Sequence, residues 1–97
     1  MNKELTDFSQ QVPLALTDIV SSEVRLREMY IINNNPSQSS KVTVQDKDLV
    51  PTILVSKTLI PEASIAIDSE AGIPMIGGIS IAATVQGVSI KGNYEAP

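Results

Sequence analysis

Hydrophobic residues recur along this chain mainly at every second position, the period of a strand with one face buried and the other in water. Lys41 to Asp46 is the clearest case, with Val42 and Val44 pointing one way and Lys41, Thr43 and Gln45 the other. Glu62 to Asp68 alternates with Ile65 and Ile67 inward, and Ile79 to Val85 begins with Ile79 and Ile81 in phase. Val88 to Tyr94 sets Val88, Ile90, Gly92 and Tyr94 against Ser89, Lys91 and Asn93. Leu14 to Val20 reads as an earlier strand with Leu14, Leu16 and Ile19 inward. Pro51 to Thr58 reads as a later one, its proline suited to a first position.

Val24 to Asn34 departs from simple alternation and is the stretch around which the others are arranged. Leu26, Met29 and Ile31 share a face only if one residue near Glu28 is irregular, so a bulge is expected there. Tyr30 and Ile32 then fall on the opposite face, leaving a strand that is apolar on both sides. Such a strand is covered twice. A helical alternative, capped by Ser22, fails because its apolar stripe is interrupted at Arg27 and Glu28 and because Asn33-Asn34-Asn35-Pro36 follows too soon.

Turns separate these strands about every eight to twelve residues, the spacing of a sandwich or barrel. Asn35 to Ser40 is expected to close a hairpin between Tyr30–Asn34 and Lys41–Asp46. Asp46-Lys47-Asp48-Leu49 is a second turn, Ser69 to Pro74 a loop, Gly77-Gly78 a break and Gln86-Gly87 a tight turn. The predicted fold is all-β: a single antiparallel β-sandwich, Ig-like or jelly-roll-like, of seven or eight short strands over residues 14–97. Residues 1–13 form a polar N-terminal arm, whose Leu5 and Phe8 at i, i+3 fit one helical turn or a contact with a neighbour.

Composition narrows the chemistry. The 97 residues make one domain, and with Phe8, Tyr30 and Tyr94 as the aromatics the core must be aliphatic. Seven Lys and Arg against eleven Asp and Glu give a net charge of -4, a field that repels nucleic acid and anionic membrane. Cysteine and histidine are both absent, which removes thiolate sites, disulfides and the commonest general base. The start of the chain leads into no apolar signal region, and no apolar run is long enough to span a bilayer as a helix.

Candidate sites weaken on inspection. Asp46 and Asp48, with Asp68 or Glu70, lack the glycine and ligand spacing of a calcium loop. No serine stands in a G-x-S-x-G motif, and no histidine exists to activate one. Gly77-Gly78 has no phosphate-cradle context. Arg25 and Arg27 fit a carboxylate or phosphate but fit cross-strand pairing with an acid of the same domain better. The expectation is therefore no catalytic residue, no cofactor, no metal and no enzymatic activity. Apolar residues beyond the needs of one sandwich, among them Tyr30, Ile32, Leu54, Ile60, Ile73, Met75 and Ile76, point instead to a protein-binding surface.

The succession R-L-R-E-M-Y-I-I-N-N, V-T-V-Q-D, L-I-P-E-A-S-I-A-I-D, G-I-P-M-I-G-G-I-S-I and G-V-S-I-K-G-N-Y resembles small β-sandwich virion proteins of tailed bacteriophages, which decorate or cement the capsid or form minor parts of the tail. The resemblance spans roughly residues 14 to 95 and lies in strand order and turn placement. It implies a structural virion protein, assembled in the host cytoplasm, that binds the major capsid protein and its own copies, commonly as a homotrimer. Leu5, Phe8, Tyr30 and Ile32 are the expected partner-binding residues. A tail or fibre domain that binds a host-surface receptor or another tail protein is the alternative.

Overall fold

The computed structural model describes residues 4–47 and 52–97. Among them the chain forms eight strands and no helix: β1 Thr6–Gln11, β2 Thr17–Val20, β3 Val24–Asn33, β4 Ser40–Asp46, β5 Thr52–Leu59, β6 Ser64–Met75, β7 Ile79–Ala83 and β8 Val88–Glu95. They build two four-stranded antiparallel sheets, in the orders β1-β8-β3-β6 and β2-β7-β4-β5. This order, in which the chain changes sheet at every connection except β4 to β5, is that of an eight-stranded jelly roll. An Ig-like order would pair the first two strands, which here lie in different sheets.

The core lies between the sheets and is aliphatic. Leu26, Met29 and Ile31 of β3, Val42 and Val44 of β4, Ile79 and Ile81 of β7, and Val88 and Ile90 of β8 are all buried. Period-two alternation alone accounts for the inner faces of β4, β7 and β8, and β3 needs one irregularity. The bulge expected near Glu28 is present: between Leu26↔Tyr94 and Glu28↔Asn93, Arg27 has no partner on β8. The extra residue turns Met29 and Ile31 onto the face that Leu26 already occupies. It also drives the β3 backbone toward β8, where a Cβ on Gly92 would lie 2.1 Å from the Glu28 carbonyl oxygen. Only glycine fits there.

Several expectations from the sequence are corrected. Residues 6–11 form no helical turn: they are an edge strand that pairs with β8 from Thr6↔Tyr94 to Gln11↔Ser89. Phe8 packs against the core with its ring 6.1 Å from that of Tyr94. Leu14 and Leu16 are not inward. They lie in the crossing from β1 to β2, where Val12 N–H bonds Val88 O and Ala83 N–H bonds Pro13 O, and both side chains are about half exposed. The strand itself starts only at Thr17. β3 and β4 form no hairpin, because they lie in different sheets and the 34–39 segment bridges the sandwich. Ser69 to Pro74 does not leave the sheet. β6 runs through to Met75, with residues 69–72 bulged opposite Arg27 alone. The expected turn at Asp48-Leu49 lies outside the described residues.

Candidate functional site

Alternating connections collect the loops at two ends. At one end the 12–16, 34–39, 60–63 and 84–87 segments meet, organised by Asn33. Its side chain is fully buried and donates to the Gln38 and Leu59 carbonyls, both at 2.9 Å, while its Oδ1 accepts the Asn35 N–H. Asn35 in turn accepts from the Ser37 and Gln38 N–H groups. At the other end Asp46, also buried, receives the N–H groups of Ile76 and Gly77, each at 2.7 Å. These two residues hold the crossings in place, and the sequence reading missed both roles. A signal was available: Asn33 follows Met29 and Ile31, and Asp46 follows Val42 and Val44, in the inward phase. A polar side chain at a core position must find partners there.

Of the candidate calcium ligands, Asp46 and Asp68 lie on strands of different sheets. Asp46 is bonded to backbone, Asp68 sits on β6 of the other sheet, and Asp48 lies outside the described residues. Among the described residues no group of three His, Cys, Asp or Glu is placed to hold a metal ion. Arg27 serves the bulge it creates, donating from Nε to Ser69 O at 3.0 Å and pairing with the largely buried Glu95 at 3.3 Å. This is the cross-strand pairing expected of it. Asp18 binds Lys47 and accepts from Ser80 Oγ at 2.6 Å. The Lys47 contact, then the Ser80 hydrogen bond, hold its carboxyl below the ordinary value.

What the fold assembles is a surface, the outer face of the β1-β8-β3-β6 sheet. Register aligns its outward side chains in three rows across all four strands: Asp7-Asn93-Glu28-Asp68, Ser9-Lys91-Tyr30-Ala66 and Gln11-Ser89-Ile32-Ser64. The first two rows line an open groove of about 600 Å³, and a smaller one of about 180 Å³ continues past Tyr30 to Ile32 and Ser89. Lys91 Nζ lies 5.5 Å from the centre of the Tyr30 ring, a cation–π contact. Asn93 bridges toward Glu28 through Nδ2 at 3.3 Å, while its Oδ1 is buried without a partner.

Tyr30 and Ile32 thus share this face and are half-buried, and Phe8, although packed on the core, also lines the larger groove beside Gly92, whereas Leu5 lies apart from them. Leu5 is exposed ahead of β1, and Phe8 faces the core. Of the wider apolar set, Met75 is buried and Leu54 and Ile73 pack on the core, so only Ile60 and Ile76 are exposed, at opposite ends of β6. The acidic first row has Glu28 directly opposite Asp68, like charges that a partner bearing a cation would relieve. The grooved face offers apolar area, the rings of Tyr30 and Phe8 and carboxylates, the equipment of recognition. No protein-family model matches this chain, and no curated protein matches it in sequence.

Proposed function

We propose that the chain is a non-enzymatic structural protein of a virion, which binds the major capsid protein and its own copies and so stabilises the assembled head. The observation that carries the binding role is the placement of Tyr30 and Ile32 in shallow grooves on the outer face of a sheet, where no described element of the chain covers them. A jelly roll is an architecture that capsid proteins and lectins share, which favours an assembly or recognition role without choosing between them. The virion setting comes from the sequence resemblance. Contacts made only in the assembled state stabilise that state by mass action.

The test is direct attachment. Labelled protein mixed with purified phage heads is imaged by negative stain and its bound fraction measured by co-sedimentation. Saturable, symmetric labelling that Tyr30→Ala and Ile32→Ala weaken supports the reading, and an absence of labelling on decoration-free heads overturns it. The polar row Asp7-Asn93-Glu28-Asp68 beside Tyr30 favours a second reading, a tail or fibre domain whose groove takes a polar receptor group. Binding to host cells but not to heads selects that one.

A further inference from the structure

From the edge of the same sheet we infer that β6 is a self-association edge, pairing antiparallel with β6 of a second copy about a two-fold axis at Ala66. The inference rests on the reading above only in that the chain binds its own copies, and its test needs no capsid. The two therefore fail separately.

The backbone sets the geometry. Asn33 N–H donates to Ala63 O at 3.0 Å, so the inward-bonded pairs that follow by alternation are Ile31↔Ile65 and Met29↔Ile67. The N–H and C=O groups of Ser64, Ala66 and Asp68 consequently point away from β3, along an edge that no other described strand covers. An antiparallel copy centred on Ala66 sets Ala66 against itself and Ser64 against Asp68. Every one of those outward groups then acquires a partner.

Side chains agree with that register. Ser64, Ala66 and Asp68 are exposed and small or short, and Ala66 on the axis leaves room for the strands to approach. Asp68 falls opposite a serine hydroxyl, and the two copies of Asp68 are four positions apart along the ladder. That is roughly 14 Å, beyond the screening length at physiological salt. Ile65 and Ile67, only partly buried at the rim of the core, meet each other across the axis.

The other edges are worse templates. β2 has four residues, β5 carries Lys57 and an irregularity opposite Val44/Gln45, and β1 is polar apart from Phe8, which the core already holds. Over Ser64–Asp68 there is no lysine, proline or bulge of the kind that blunts an edge. Pairing would join the two sheets into one of eight strands. Both copies of the Tyr30 face would then lie on the same side, presented together to a partner.

Sedimentation velocity across a concentration series, with native chain, Ala66→Arg and Ala66→Pro, tests this. The native chain is expected to show a monomer–dimer equilibrium that both variants abolish, while their thermal unfolding at low concentration matches the native monomer's. As the chain has no native cysteine, Ala66→Cys treated with a short bis-maleimide should give a single covalent dimer, and Ser9→Cys on β1 should not. A native chain monomeric throughout the series overturns the inference. So does a dimer that survives both substitutions, or one cross-linked through Ser9→Cys instead.

Discussion

At the scale of single residues, the most constrained positions are those where backbone meets backbone. Gly92 has an ordinary φ, so its constraint is space: the bulged Glu28 carbonyl occupies the position of a side chain. Gly92→Ala must push β3 and β8 apart and is expected to destabilise by about 1–3 kcal/mol, measured by urea unfolding. Gly78 combines both constraints, with φ +104° and a Cβ position 2.1 Å from the Val20 carbonyl oxygen. Asp18 offers a pH signature. Its folded pKa lies below the unfolded one, so its contribution is present above about pH 4 and is lost as pH falls through the folded value. Melts of the native chain and Asp18→Asn should differ at pH 6, and the difference should shrink as pH falls below about 4.

At the scale of elements, β3 has two faces in different surroundings, one between the sheets and one on the outer groove. Met29 and Ile31 are buried between the sheets, and replacing either with Ala is expected to cost about 2–5 kcal/mol in lost transfer energy and cavity. Tyr30→Ala or Ile32→Ala should leave monomer stability within about 1 kcal/mol. Their attachment to heads should fall by about 2 kcal/mol if this face is the partner surface. Unfolding and co-sedimentation measured on the same four variants separate the two roles. β1 yields the opposite expectation from an arm. Deleting residues 1–11 removes Phe8 from the core and exposes the length of β8, so the truncated protein should melt at clearly lower denaturant concentration. An unchanged midpoint would show that β1 adds nothing to the sandwich.

For the molecule as a whole, topology sets the expected folding behaviour. β4 with β5 is the only paired couple adjacent in sequence among the described strands, and β1 with β8 joins the two extremes of the chain. Closure entropy must be met before such distant pairs form, which places refolding in the milliseconds-to-seconds range of non-local β proteins. Stopped-flow refolding complete within about 100 μs would contradict this. The same topology makes the outer face possible, since its rows draw on β1, β8, β3 and β6, segments far apart in the chain.

Which residues face inward was legible in the sequence, because the side-chain period of a strand is a property of the backbone itself. Val42 and Val44, Leu26 with Met29 and Ile31, and Val88 with Ile90 follow from it, and so does the bulge, without which Leu26 could not share a face with Met29. Alternation carries no information about the neighbouring strand. That is why Tyr30–Asn34 read as a hairpin partner of Lys41–Asp46 yet lies in the other sheet, and why Leu14 and Leu16 read as core yet sit in an exposed crossing. Tyr30 and Ile32 could be placed on an outer face from the sequence alone. Their alignment with Lys91 and Ser89, and the acidic row beside them, depended on which strands paired and in which register, a choice made by packing two sheets around one core.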